Sequence, residues 1–314
     1  MRILGIETSH DDTSIAVLEN GKVLDMWSIS QIDIFKEFGG TVPEIASREH
    51  IKNIAIIQKI LISKYKMDEF DYIAYTKEPG LIGPLHVGYL FASALAHTFN
   101  IPLIPVNHLT GHFLSTTLTD EVEFPALCLL VSGGHTQLLY AKDIDDVEII
   151  GETLDDAVGE VFDKVSAKIG LGFPGGPLID KLSQTYQGQF IKFTKPHTDN
   201  PLDFSFSGLK TQVINYIHTK KMKNEPIDTT QVVVSFQKTA VEYLIEKTKL
   251  ALKTYDVKSI ILGGGVSANS LLRSEFLKIH PNAIVPSLKY ATDNGAMIAQ
   301  AAYLQVLKEK NLKK

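Results

Sequence analysis

Apolar residues fall along this chain in two kinds of run: short, dense bursts and longer stretches with helical spacing. RILGIETS is a dense burst with β-branched members and predicts a buried strand. DDTSIAVLENGKVLDMWSI follows it. Asn20-Gly21 sits there between two apolar runs, the strongest local hairpin signal. The chain is therefore expected to open as strand, acidic turn, strand, Asn-Gly turn, strand. VPEIASREHIKNIAIIQKILISKY sets Ile51, Ile54, Ile57 and Leu61 at helical spacing. FDYIAYT reads as a strand, and EPGLIGPLHVGYLFASALAHTFN as a Gly-rich loop feeding a helix. IPLIPVNH is a further strand that ends at two histidines.

The opening pattern then recurs. FPALCLLVSGGHTQLLYAKDIDDVEIIGETL again reads strand, polar turn, strand, connection, strand. A repeat of this kind predicts a duplicated α/β lobe. TTQVVVSFQKTAVEYLIEKTKLALKTY is a long helix, KSIILGGGVSANSLLRSEFL a strand, glycine turn and helix, and TDNGAMIAQAAYLQVLKEK a last helix. Thr292, Asp293 and Asn294 are its available caps. The expected architecture is α/β: two similar lobes with a ligand cleft between them. Residues 1–112 form the first, rejoined by the returning helix 293–314, and 113–292 form the second.

Composition narrows the class without choosing a function. The chain has 314 residues, 44% hydrophobic and 21% charged, with a net charge of −5. That excludes a surface that is basic throughout, though not a local basic patch. One cysteine, Cys128, rules out an internal disulfide and suits a reducing compartment. No apolar run is long enough to span a bilayer. The N-terminus meets acidic residues too early for a signal-peptide core. A cytoplasmic protein with no membrane partner is the expectation, and the basic tail LKEKNLKK reads as a solvated helix end.

Candidate chemistry sits at the strand ends. Three Gly-rich turns follow strands, at Ser132-Gly133-Gly134, Gly175-Gly176 and Gly263-Gly264-Gly265. Any one alone is an ordinary turn; together they favour a nucleotide-like ligand held by backbone N–H groups. None is a P-loop. Asn269 either caps the helix it precedes or bonds a ligand. His10, Asp11 and Asp12 form an acidic turn after the first strand, and Asp163 and Asp180 are further carboxylates placed to face a ligand; each also has a bland reading as a solvated turn or surface group. His135 is either a site residue or a strand histidine, while His50, His97, His197, His218 and His280 carry no motif.

His108 and His112 lie four apart, which puts both rings on one face of a helix. They are a surface pair or two metal ligands, and their position after a buried strand favours metal. A zinc protease of H-E-x-x-H type carries its general base beside the first histidine, where this chain has Leu109. Two histidines need a third ligand, and Asp293 before the last helix is the best placed.

Read in order, GIETSHDDTS, VPEIASREH, NHLTGH, LLVSGGHTQL, GEVFDK, FPGGPLIDKL, DFSFSGLKT, GGGVSAN and TDNGAMIA resemble the successive motifs of the TsaD family of tRNA threonylcarbamoyladenosine transferases, formerly known as O-sialoglycoprotein endopeptidases. The resemblance implies two ribonuclease-H-like lobes of the actin/Hsp70/sugar-kinase superfold around a nucleotide cleft. It implies transfer of threonylcarbamoyl from threonylcarbamoyl-AMP to N6 of adenosine 37 in tRNAs reading ANN codons. It places one divalent metal ion, Fe2+ or Zn2+, on His108, His112 and Asp293. It places the adenylate on Leu130, Val131, Ser132, Gly133 and Gly134, with Asp163, Gly176, Asp180 and Asn269. It also implies a TsaB-like paralogue and a TsaE-like ATPase as partners. Three positions depart from the family pattern: His10 where Cys is usual, Asp12 where Glu is, and Glu78 where Gly is. Placement makes Asp11 or Asp12 the candidate base for the adenosine amine. Two other classes stay open, an ATP-dependent phosphotransferase or ATPase of the same superfold and, less favoured, a metalloprotease.

Overall fold

A computed structural model describes residues 1–312 of the chain. It divides into two compact units, Met1–Glu121 with Pro286–Lys314, and Val122–Val285.

The first unit opens with β1 (Arg2–Glu7), β2 (Asp12–Glu19) and β3 (Lys22–Ser30). Asn20 and Gly21 both adopt positive φ, 48° and 79°, so the two-residue turn matches the twist of the strands it joins. A one-turn helix α1 (Ile32–Phe35) leads to α2 (Pro43–Lys64). Then come β4 (Tyr72–Glu78), α3 (Ile82–Phe99), β5 (Leu103–Asn107) and α4 (His108–Leu114). The sheet order is β3-β2-β1-β4-β5. The first three strands are antiparallel, and β4 and β5 run parallel to β1.

β1 is buried on both faces, which is why it reads as a continuous apolar run. Leu4 and Ile6 pack with Ile57 and Leu61 of α2 and with Ala92 and Leu95 of α3. Helical spacing alone does not decide which face of α2 is covered. Ile54, Ile57 and Leu61 are buried, but Ile51 is 60% exposed. The buried stripe runs through Ala46 and His50 instead, and Ile51 lies about 100° further round the helix than His50.

The second unit repeats the plan. β6 (Ala126–Val131), β7 (Thr136–Ala141) and β8 (Val147–Glu152) are antiparallel. Four helices follow: α5 (Val158–Ile169), α6 (Gly175–Thr185), α7 (Ser207–Met222) and α8 (Thr229–Ala251). β9 (Ser259–Gly263), α9 (Ser270–Phe276) and the two-residue β10 (Ala283–Ile284) complete it. The order β8-β7-β6-β9-β10 has the same connectivity as the first sheet, with β9 parallel to β6 and β10 parallel to β9. Leu129, Val131 and Leu138 of the sheet share a core with Phe162 of α5 and Phe236 of α8. Cys128 is buried in β6.

The chain then returns to the first unit through α10 (Leu288–Ala291) and α11 (Gly295–Leu312). A Cβ on Gly5 of β1 would meet the Gly295 carbonyl oxygen at 2.2 Å and Ala299 Cβ at 2.8 Å. Two glycines thus let α11 lie backbone-on-backbone against the face of β1 opposite α2 and α3. Lys313 and Lys314 of the basic tail lie outside the described residues. Among the described residues no helix is long and apolar enough to cross a membrane.

Candidate metal centre and ligand pocket

β5 ends at Asn107, whose side chain accepts hydrogen bonds from the Leu109 and Thr110 amides and so starts α4. His108 is the first residue of that helix and His112 lies one turn on, their rings edge-to-face at 4.6 Å. At the far end of the chain Asn294 caps α11, accepting from Met297 N at 3.0 Å. Asn294, not Asp293 or Thr292, is therefore the cap, and the Asp293 carboxylate faces the histidines. Its Oδ1 is 3.0 Å from His112 Nε2 and 3.6 Å from His108 Nε2. Among the described residues, these three offer donor atoms all within 4.8 Å of one another.

The donor set fits a metal ion. His112 is fully buried, and neither ring nitrogen has an assigned hydrogen-bond partner, although Asp293 Oδ1 lies 3.0 Å from Nε2. An unpaired buried imidazole is costly, and a cation at the point of convergence would use its lone pair.

Glu7, at the end of β1, is a site residue that motif reading missed. It is wholly buried and accepts from the Ser9 amide and from Thr76 Oγ1 at 2.6 Å. Its Oε2 is also 3.1 Å from His108 Nδ1, as is Ser9 Oγ. Burial would raise the Glu7 carboxyl, but the charge of His108 beside it holds it below its ordinary value. Burial likewise opposes the His108 imidazolium, and the charges of Asp293 and Glu7 overcome it, raising it to about 9. In the sequence it is only a carboxylate at the end of an apolar strand.

The acidic turn belongs to the same unit. Asp11 Oδ1 pairs with His10 Nδ1 at 2.8 Å, and the Asp11 carbonyl accepts from Gln31 N. Burial would lower the His10 imidazolium, but that bond to Asp11 raises it. Asp12 opens β2; burial, reinforced by the negative charge of Asp293, pushes its carboxyl up to about 7. His50, which carries no motif, is fully buried and anchors the turn: Nε2 donates to the His10 carbonyl at 2.9 Å and Nδ1 meets Thr13 Oγ1 at 2.8 Å.

In the second unit a cavity of about 340 Å³ is lined by Gly133, Asp163, Gly176, Asp180 and Asn269, together with Gly159 and Gly265. That is room for a nucleoside-sized ligand. The three polar residues brace its walls. Asp163 accepts from Gly175 N at 2.6 Å, starting α6. Asp180 accepts from Ser270 Oγ at 2.8 Å and from the Ser270 amide, tying α6 to α9. Asn269 caps α9 through Leu272 N at 2.9 Å, and its amide donates to Gln237 of α8. Ser132 closes a turn, its amide donating to the His135 carbonyl and its Oγ accepting from His135 N. Leu130 and Val131 are wholly buried in β6. They, Ser132 and Gly134 stand outside this cavity's lining. Gln237 and Ser270 are members of the bracing network that motif reading did not single out.

Comparison with known proteins agrees with this architecture and extends it. In three dimensions the chain is similar to HypF of T. kodakarensis, with a TM-score of 0.65, 14% identity, and coverage of 99% of this chain and 48% of that one. It is also similar to the activator of 2-hydroxyisocaproyl-CoA dehydratase from Clostridium difficile, with a TM-score of 0.54, 11% identity, and coverage of 100% and 98%. These likenesses place the fold in the actin/Hsp70/sugar-kinase class. In sequence, the protein of Mycoplasmopsis agalactiae named tRNA N6-adenosine threonylcarbamoyltransferase is 64% identical over 99% of this chain and 100% of its own. A Fusobacterium nucleatum protein of the same name is 49% identical over 100% of this chain and 94% of its own. The family described as "TsaD: tRNA N6-adenosine threonylcarbamoyltransferase" matches residues 22–300, so the chain belongs to that family.

Proposed function

We propose that the chain transfers a threonylcarbamoyl group from threonylcarbamoyl-AMP to N6 of adenosine 37 in tRNAs that read ANN codons. Full-length kinship with proteins named for this transfer supports the reading. The geometric observation that carries it is the convergence of His108 and His112 with Asp293, without a glutamate at Leu109. That is a ligand set lacking the protease's general base.

In the reaction the N6 amine bonds to the carbamoyl carbon, the bond from that carbon to the phosphate oxygen breaks, and AMP leaves. N6 gives up one proton. The second unit's pocket holds the adenylate by its glycine backbone, with Asp163, Asp180 and Asn269 keeping the walls in place. Asp12, raised to about 7, accepts the proton near neutrality, with Asp11 as the alternative. His108, His112 and Asp293 would hold one divalent ion, and the set suits Fe2+ or Zn2+. When bound, that ion supplies a Lewis acid for a carbonyl or phosphoryl oxygen. The chain works in the cytoplasm on tRNA, with a TsaB-like paralogue and a TsaE-like ATPase.

The test is to incubate the chain and these partners with threonylcarbamoyl-AMP and tRNA, digest the tRNA, and assay for the modified nucleoside. No modified nucleoside, with rapid ATP turnover by the chain alone, would favour the phosphotransferase or ATPase reading instead. Cleavage of a peptide substrate would favour the protease.

A further inference from the structure

We propose that Glu7 is a positioning residue that decides which nitrogen of His108 faces the metal ion. The inference rests on the metal-site reading above.

An ionised carboxylate can only accept hydrogen bonds. Glu7 Oε1 takes the Ser9 amide, and Oε2 takes the Thr76 hydroxyl. The remaining capacity of Oε2 lies 3.1 Å from His108 Nδ1, so that contact is favourable only when Nδ1 carries the proton. A neutral imidazole has one proton, and placing it on Nδ1 leaves Nε2 with a free lone pair. Nε2 is the nitrogen on the Asp293 side, 3.6 Å from Oδ1. Carboxylate, imidazole and metal site thus stand in series, the arrangement by which outer groups orient metal-binding histidines. β1 supplies Glu7 and α4 supplies His108, so the sheet itself sets the ring's orientation. Ser9 Oγ, also 3.1 Å from Nδ1, is a neutral hydroxyl that can donate or accept and so imposes no tautomer by itself.

Glu7→Gln separates this role from simple filling of space. The Ser9 amide is only a donor, so it holds the glutamine carbonyl at the Oε1 position. The NH2 group then occupies the Oε2 position and points hydrogens at His108 Nδ1. Nδ1 must turn acceptor, and the proton moves to Nε2, where it blocks the metal. Zinc affinity of the purified full chain, measured by chelator competition, should fall roughly ten- to a hundredfold in Glu7→Gln. Ser9→Ala should stay within about threefold of wild type, since Glu7 still fixes the tautomer. Wild-type affinity in Glu7→Gln overturns the proposal, and so does an equal loss in Ser9→Ala. A wild-type chain that binds zinc no better than His112→Ala would refute the metal site itself, a separate result. Should Glu7→Gln fail to fold by circular dichroism, 15N spectra of the zinc-bound wild type decide. His108 with Nδ1 protonated and Nε2 metallated supports the assignment, and zinc on Nδ1 overturns it.

Discussion

His112 Nε2 and Asp293 Oδ1 stand 3.0 Å apart, although 181 positions separate them and Asp293 precedes the last helix. Neither nitrogen of His112 has an assigned hydrogen bond, which leaves a lone pair free for a metal ion at the point where the three side chains converge. Asp293→Ala or His112→Ala should therefore lower zinc or iron affinity by more than the roughly 10–100-fold expected for losing an outer-shell partner. tRNA modification should fall with it. Elemental analysis of the purified variants checks this; full metal occupancy in Asp293→Ala would place the third ligand elsewhere.

Protons compete with the metal for His108. Its imidazolium is raised from 6.5 to about 9: burial opposes the charge, but Asp293 and Glu7 outweigh it. In the metal-free chain this raised value contributes stability that is fully present below pH 6.5 and lost as pH climbs through about 9. Glu7 and Asp293 are depressed, against burial, by His108, so their share fails only on acidification, outside that window. A bound metal would take the place of the Nε2 proton, so its affinity should rise with pH, up to about tenfold per unit, and level off near 9. Melting curves of chelated and zinc-loaded protein from pH 6.5 to 9 should move apart as pH rises. A constant gap would contradict the assignment.

Asp12 should govern an acid limb in the transfer rate. Burial and then the charge of Asp293 raise its carboxyl to about 7, and a bound dication offsets the second of these. The rate should therefore climb with pH through a midpoint at or somewhat below about 7. Asp12→Asn should abolish that limb with a loss of roughly 10²–10⁴-fold in rate. An unchanged pH profile in Asp12→Asn would pass the role to Asp11.

The glycines lining the pocket and beside it divide into two groups. A Cβ on Gly133 or Gly176 meets nothing within 4 Å, whereas one on Gly159 meets the Ser132 carbonyl oxygen at 2.6 Å and one on Gly175 the Phe162 carbonyl oxygen at 2.3 Å. Gly133→Ala and Gly176→Ala should leave the melting temperature almost unchanged and weaken adenylate binding, because the new methyl enters the cavity. Gly159→Ala and Gly175→Ala should destabilise the fold by about 1–3 kcal/mol through overpacking. Calorimetry with a non-hydrolysable adenylate separates them; full affinity in Gly133→Ala and Gly176→Ala would move the ligand elsewhere.

Local patterns carry what this sequence determines by itself. The two strand–turn–strand openings are legible because a dense apolar run and a turn pair such as Asn20-Gly21 act over a few residues. The spacing of His108 and His112 is local in the same sense, since one helical turn sets it. Packing at long range decided the rest. Ile51 has the right spacing but faces outward, because the sheet, not the helix, chooses which stripe of α2 is covered, and it chose the one through His50 and Asn53. Asn269 caps its own helix through Leu272, a local bond its spacing allows, but Asp163 and Asp180 read alike as ligand contacts or surface groups until the approach of α6 and α9 commits their oxygens to Gly175 and Ser270. Glu7 is indistinguishable from a strand-end carboxylate until β4 and α4 bring Thr76 and His108 against it. Asp293 reaches the histidines because Gly5 and Gly295 let two backbones touch, a shape match between segments that no window of local sequence contains.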